Sequence, residues 1–561
     1  MRLSRRTAHA TAIVVMVLTL LSAHVSTAAA ASIPTTGDAF SALVVMRTTD
    51  GMFAAPIHAA VMPDGRVFLL GQGAATFPTT PGDEGHMHFV MTPDPVGATL
   101  PATTVETDLM APLDADHVVL NGHLYDDSLV CGGNTFLSDG RLMITAGTRT
   151  VKDPATGKLQ LAYGGTYATA YDGTTWTRLP GNFSGVGAKT TGRWYPTLTR
   201  LADGRVLVTG GYDVLVPTFT ANLSEDIYDP ATGTYTTVST QAQTPFAAHD
   251  ADYTAVFQLP TAVSGSNVLM IGEDGLPLYL DTSKSPAAWR SSNAYRPGAS
   301  ALSRFSNGAG TAMLPIRLTD GQWGYHNGSV LTMSGKLGTS AMARADVFDP
   351  VTNAWTRSID TGTPRHYPAP VLLPDGRVLL INGHAATANS SVLTPQYIDP
   401  ADNFSVSTSP ANGVEVRGYH NVAVLLPDGR VMVSGGRDVD RATSSEKPDY
   451  AYFSPAYMTK PRPVITGAPT QLGYGQTALV GSSTVKATDA VLMALPSMTH
   501  SFDQNQRSVQ VKLQTVADGT NARLSVLTGP ANASVAPPGY YMLFLLDANR
   551  VPSVAKMIHI G

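Results

Sequence analysis

Short apolar runs flank a polar turn repeatedly along this chain. In residues 416–436, VRGYHNVAVLLPDGRVMVSGG, alternating Val and Leu positions lead into Pro427-Asp428-Gly429 and out again to a glycine pair. Alternation marks a strand half-buried on one face, and Asp-Gly between two such runs marks a tight hairpin. The unit recurs as PIHAAVMPDGRVFLLGQG from Pro56, CGGNTFLSDGRLMITAG from Cys131, YPTLTRLADGRVLVTGG from Tyr195 and YPAPVLLPDGRVLLING from Tyr367. Less regular turns are expected at Ser264-Gly265 and Ser334-Gly335, which brings the count to seven units. Most units also carry an outer-hairpin signature: YDGTTW from Tyr171, YDPATGTY from Tyr228, YLDTSKSPAAW from Tyr279, FDPVTNAW from Phe348 and YIDPADNF from Tyr397.

A period of roughly 50 to 75 residues with several short strands per unit predicts a kelch-type β-propeller of seven blades over 38–458. The run ALVVMR at 42–47 is expected to close the ring by pairing with the last repeat. The long stretches 76–119 and 215–247 are expected to be loops on the propeller faces. Past Lys460-Pro461-Arg462-Pro463 the hairpin signature stops, and strand-like runs at 478–480, 490–493, 509–511 and 541–544 predict a small immunoglobulin-like β-sandwich over 459–561. The fold class is therefore all-β. Between two of the sandwich strands lies PSMTHSFDQNQRS, a polar loop with His500 at its middle.

Composition agrees: 43% apolar residues can fill a core, while 52 Gly and 39 Pro punctuate it with turns. A net charge of −5 offers no basic footprint for nucleic acid or an anionic membrane. Arg2, Arg5 and Arg6, the apolar run 12–21 and Ala28-Ala29-Ala30-Ala31 predict a secretory signal peptide over 1–31 and hence an extracellular or cell-surface protein. No later segment is apolar enough to span a bilayer after signal cleavage, and a monomer is expected.

Counting back eight residues from each turn aspartate gives Pro56, Cys131, Tyr195, Tyr367 and His420. Equivalent positions in equivalent hairpins face the same place, so Cys131, Tyr195 and His420 start their strands on one rim, with Tyr419 beside His420. Consecutive strand residues point to opposite faces, so Tyr419 and His420 can share a target only at an irregular strand start. Imidazole suits Cu(II), and phenolate adds charge and a redox-active ring. Two-electron oxidation with one copper ion needs a second one-electron store, which a tyrosine supplies. Cys131, the chain's one cysteine, is in register with Tyr195 in the next blade, where a thioether between sulfur and ring would ease oxidation of the phenol.

The chain resembles the copper radical oxidases, the galactose oxidase and glyoxal oxidase group, over nearly its whole mature length. The resemblance is carried by LVCGGNTFLSDGR, GRWYPTLTRLADGR, RGYHNVAVLLPDGR and PSMTHSFDQNQR, in the family's order. It implies copper bound by Tyr195, Tyr419, His420 and His500, a Cys131–Tyr195 thioether that holds a radical, and Tyr419 as the axial ligand and base. His500 would reach the metal on its loop from the sandwich. The implied reaction oxidises a small aldehyde or primary alcohol and reduces O2 to hydrogen peroxide. RWYPT, and the lack of a sugar-binding domain ahead of the propeller, look more like glyoxal oxidase than galactose oxidase. Where galactose oxidases place a tryptophan after the Gly-Gly of the cross-linked tyrosine's blade, this chain has Tyr212-Asp213, which leaves Trp289, Trp323 and Tyr212 as candidates to shield the radical.

Blander readings cover the other candidates. His58, His326, His366 and His384 read as structural, and His86 and His88 as a solvated or packing pair. Trp176, Trp289 and Trp355 read as interblade packing, and Arg205, Arg377 and Arg430 as turn residues. Tyr367 either lines a substrate channel or packs between blades. The competing functional reading is a catalytically inactive propeller that binds extracellular glycan or protein; a metal-independent hydrolase would need a nucleophile motif that the sequence lacks.

Overall fold

The computed structural model describes residues 35–48, 53–74, 85–97, 103–105, 118–120, 123–125, 129–145, 147–152, 159–181, 183, 192–214, 220–239, 251–272, 275–298, 305–337, 340–385, 392–413, 415–437, 446–519 and 522–561. The expected signal peptide lies outside them. Among the described residues there is no α-helix, and no helix long and apolar enough to cross a membrane.

Seven antiparallel units form the propeller, their innermost strands being Phe53–Val61, Asn134–Phe136, Trp194–Arg200, Ala255–Val263, Phe305–Met313, Ala369–Leu372 and Asn421–Leu425 in blades 1 to 7. The ring closes as the pattern predicted. Val44–Thr48 pairs antiparallel with Asp449–Ser454, Val44 opposite Tyr450, so the N-terminal strand completes blade 7. The β-sandwich follows, a four-stranded sheet that includes Thr477–Thr484 against a five-stranded sheet that includes Asp489–Ala494 and Gly539–Leu546.

The Asp-Gly turns share one physical device. At Asp428, Oδ1 accepts the Arg430 N–H at 2.9 Å and Oδ2 accepts the Arg430 Nε–H at 2.8 Å, while Gly429 takes φ +95°. The same two bonds form at Asp64, Asp139, Asp203 and Asp375. The arginines are thus turn residues. The indoles join neighbouring blades: Nε1 of Trp176 donates to His88 Nε2 at 3.1 Å, Trp289 to Glu225 Oε1 at 3.1 Å and Trp355 to the Ala294 carbonyl at 2.8 Å.

Two sequence expectations need correction. Ser334-Gly335 is not a hairpin turn but a bulge inside Val330–Leu337, at a register shift between Met333 and Lys336; the connection in blade 5 is the longer loop 314–329. Nor are 76–119 and 215–247 wholly loop, because Gly85–Met91 is the third strand of blade 1 and Glu225–Asp229 and Thr234–Ser239 belong to blade 3. These outer strands follow long connections and no Asp-Gly turn marks them, although YDPATGTY from Tyr228 points to the second hairpin.

A buried arginine recurs just before the rim positions. Arg193 Nη1 donates to the Gly210 carbonyl at 2.6 Å, Arg365 Nη1 to Asn382 at 2.9 Å and Arg417 Nη1 to Gly435 at 2.8 Å. Each ties the start of a blade's inner strand to the end of its second strand. Asp226 and Asp449 balance the charge of Arg193 and Arg417, whereas Arg365 meets the neutral Gln396.

The segment 496–508 runs from the sandwich into the propeller. Ser497–Thr499 pairs with blade 1, His58 opposite Thr499, and turns through His500 and Ser501 at φ +49° and +70° into Phe502–Asp503. Two consecutive positive-φ residues joining paired strands make the primed type of two-residue hairpin turn. Gln504 Oε1 accepts N–H bonds from Asn134 of blade 2 and Leu198 of blade 3, at 3.1 and 3.0 Å. Arg507 reaches the Gln258 carbonyl of blade 4, Gln506 that of Thr311 in blade 5, and Ser501 Oγ that of Tyr367 ahead of blade 6. Asn421 of blade 7 donates to Ser501 Oγ at 2.8 Å. The finger is bolted to every blade.

Candidate redox and metal centre

Strand starts, not strand interiors, build the site. Cys131, Tyr195, Tyr367 and His420 all take φ between +55° and +70°, the left-handed region, as does His500 at +49°. Such backbone breaks the alternation of a strand and turns adjacent side chains to one side. Neighbouring blades are stitched there: Tyr195 N–H donates to the Cys131 carbonyl at 2.9 Å, Tyr253 N–H to Tyr195 at 2.9 Å, and Tyr367 N–H to Gly308 at 2.8 Å. Tyr253 and Gly308 are therefore the rim positions of blades 4 and 5. The sequence count missed both, because neither of those blades has an Asp-Gly turn in register.

The structure brings the five sequence-predicted residues together, all of them buried. Sγ of Cys131 and a ring nitrogen from each of His420 and His500 lie within 4.8 Å of one another. The hydroxyls of Tyr195 and Tyr419 are in hydrogen-bond contact. The His420 and His500 rings are 4.4 Å apart at 80°, and Tyr195 and Tyr419 lie 4.6 and 5.3 Å from His500. Tyr419 and His420 are both turned inward, their rings 3.8 Å apart, as the irregular strand start predicted.

Each imidazole is oriented by one nitrogen. His420 Nδ1 is 2.5 Å from Glu446 Oε1, which also accepts from Arg437 Nε at 2.5 Å. His500 Nδ1 is 2.7 Å from Thr499 Oγ1. Nε2 is then the atom each ring has for a metal. Glu446 is 1% exposed; burial pushes its carboxyl up to about 7, against the opposing pull of Arg437. A lone glutamate at the end of a polar stretch carried no sequence signal.

His58 is structural, as read, but it stands at the centre. Its Nε2 accepts the Cys131 N–H at 3.2 Å, so Nδ1 carries the hydrogen and donates to Asn134 Oδ1 at 3.1 Å. Burial holds this neutral ring's pKa down at about 4. His366, beside Tyr367, and His384 pack edge to face 5.2 Å apart, and His326 bonds Asp320 away from the site. His88 is a packing residue beneath Trp176; the side chain of His86 lies outside the described set.

The ring stacked on Tyr195 is none of the three sequence candidates. It is Trp194, 3.6 Å away and inclined by 13°. Trp289 is engaged with Glu225, Trp323 lies under the Arg317 guanidinium at 3.6 Å, and Tyr212 packs 6.1 Å from Trp194 instead. Tyr253 is also nearly parallel to Tyr195, at 4.6 Å and 25°. Two near-parallel rings that close cannot share a face without overlapping, so Trp194 and Tyr253 sandwich the phenol. A cavity of about 90 Å³, open to solvent, reaches the centre; Tyr195, Tyr253, Tyr419 and His500 line it together with Asp252 and Tyr367.

Residues 462–560 match the family model described as the galactose oxidase-like early set domain. The chain is 26% identical to an aldehyde oxidase GLOX of Vitis pseudoreticulata over 66% of this chain and 72% of that protein. It is 24% identical to a galactose oxidase of Gibberella zeae over 77% of this chain, spanning 61% of that protein's length. Among solved structures, a fungal alcohol oxidase of the AA5 family, in complex with copper, superposes with a TM-score of 0.67 over 94% of this chain and all of that one, at 20% identity. That last likeness is one of fold.

Proposed function

For a chain that belongs to the copper radical oxidase family, we propose that this protein is a secreted oxidase of small aldehydes or primary alcohols that reduces O2 to hydrogen peroxide. The observation that carries the reading is the convergence of two imidazoles, two phenols and a thiol on one buried rim beside an open cavity. Paired neutral imidazoles and phenolates are a donor set that fits copper. Tyr195, Tyr419, His420 and His500 would hold it. When bound, copper would supply a one-electron acceptor beside Tyr195, whose oxidised ring would serve as the second. A binding-only propeller would have no use for this set.

The chain's own residues supply the rest. Tyr419 takes the substrate hydroxyl proton on its phenolic oxygen, already in contact with that of Tyr195. Glu446 and Thr499 fix the two imidazoles, and Trp194 and Tyr253 keep water from both faces of Tyr195. A Cys131–Tyr195 thioether would lower the energy of the oxidised ring, supported by the adjacency of the two strand starts.

Peptide mapping by mass spectrometry of protein loaded with copper in air tests the cofactor. The expected product is the Cys131 peptide joined to the Tyr195 peptide with loss of two hydrogens; a free thiol on copper-bound protein would overturn the radical mechanism. Peroxide release with methylglyoxal, glycolaldehyde or galactose tests the reaction, and silence across a wider panel would remove it.

A further inference from the structure

A phenol that stores an oxidising equivalent must first lose an electron to something outside the protein. Tyr195 is 2% exposed and, among the described residues, is open to the outside only through the substrate cavity. Tunnelling falls steeply with distance, and a relay of oxidisable rings outpaces a single long step. Of the two rings that sandwich Tyr195, Tyr253 faces the substrate cavity and ties its hydroxyl to the Gly132 carbonyl at 2.8 Å. Trp194 leads the other way. Its direct cross-strand partner in blade 3 is Tyr212, with ring centroids 6.1 Å apart, and Tyr212 is partly exposed whereas Trp194 is buried.

We propose that Tyr195, Trp194 and Tyr212 form a one-electron port, a route by which small outer-sphere oxidants charge the buried phenol without entering the substrate cavity. The inference rests on Tyr195 being the redox phenol. An external acceptor removes one electron from Tyr212, whose phenolic proton passes to water. Trp194 refills Tyr212, which takes a proton back, and the Tyr195 phenolate refills Trp194. The net change is one electron moved from Tyr195 to the acceptor, leaving a phenoxyl ring and an acceptor reduced by one. The first ring pair is in van der Waals contact and the second is fixed by strand pairing, so the relay needs no motion of the fold. A position that departs from the galactose oxidase pattern, Tyr212 after the Gly-Gly pair, thus acquires a use of its own.

The test is stopped-flow oxidation of the reduced, copper-loaded protein by hexachloroiridate(IV), followed by phenoxyl absorbance rather than turnover. In Tyr212→Phe the stacked Trp194–Tyr195 pair stays in place and the relay is cut; radical formation is expected to slow by about tenfold, equivalent to ~1.4 kcal/mol on the barrier, with the final radical yield unchanged. Tyr212→Trp also lacks the hydroxyl that accepts the Ala251 N–H at 3.3 Å, but keeps an oxidisable ring, and is expected to restore the rate. Wild-type rates in Tyr212→Phe, or equal slowing in both variants, would overturn the port. A wild-type protein that yields no phenoxyl signal with any oxidant would overturn the oxidase reading and the port with it.

Discussion

Glu446 Oε1 lies 2.5 Å from His420 Nδ1, and the same oxygen takes the Arg437 guanidinium whose carbon sits 5.9 Å over the Tyr419 ring. One carboxylate thereby holds both consecutive inward-facing residues of blade 7. Outer-sphere partners of metal-bound histidine fix its tautomer and raise its basicity. Glu446→Ala is expected to weaken copper binding by ~10–100-fold, with Glu446→Gln in between, as read by competition with a chelator of known affinity. Wild-type affinity in both variants would show that Glu446 only packs.

His500 is delivered by the finger and not by a blade. If His500 is the ligand proposed, His500→Ala is expected to exceed the ~10–100-fold loss of an outer-sphere partner, because a donor atom itself is gone. The finger's other anchors remain, so the melting transition should stay cooperative. Unchanged copper affinity in a folded variant would remove the sandwich loop from the centre.

Arg193 is buried with Asp226 at 2.9 Å and the Gly210 and Ser224 carbonyls at 2.6 Å. Removing one partner of a buried pair strands the other's charge. Arg193→Met is expected to cost ~3–5 kcal/mol in denaturant unfolding, and to loosen the strand start that carries Trp194 and Tyr195. A loss below ~1 kcal/mol, the range of an exposed pair, would contradict the anchoring role.

Behind that strand, burial raises Glu225 to about 8, with Arg193 and the Trp289 indole pulling it down less strongly. Its pKa is higher folded than unfolded, so the native state holds the extra proton between roughly pH 4.5 and 8. Stability from this group is fully present at the acid end and is lost as pH rises through that window. Glu225→Gln is expected to flatten the decline in melting temperature from pH 5 to 8. A variant that keeps the wild-type slope would assign the decline elsewhere.

Much of this was legible because the repeat acts as a ruler. Counting back from Asp139, Asp203 and Asp428 placed Cys131, Tyr195 and His420 on one rim, since a hairpin of fixed length fixes the position of its first residue. The ruler failed where the hairpin length changed. Blade 4 turns at Ser264-Gly265, eleven residues after Tyr253, and blade 5 has a long loop in place of the turn, so Tyr253 and Gly308 went unseen. Trp194 was missed for a different reason. Strand alternation puts neighbours on opposite faces, but positive φ at Tyr195 is the same irregularity that turns Tyr419 and His420 inward, and it lays Trp194 on its own neighbour. Glu446 and His58 act through distances that no spacing in the sequence encodes.

The finger also sets a clock. Translation delivers the seven blades first, while His500 comes after them, on a finger whose seats in the blades, such as His58 opposite Thr499, are already made. A nascent propeller therefore has its thiol and phenols but lacks the last imidazole and the plug that closes the axis. The proposed centre has to wait for the finger, and a product truncated before His500 lacks one of its two imidazoles.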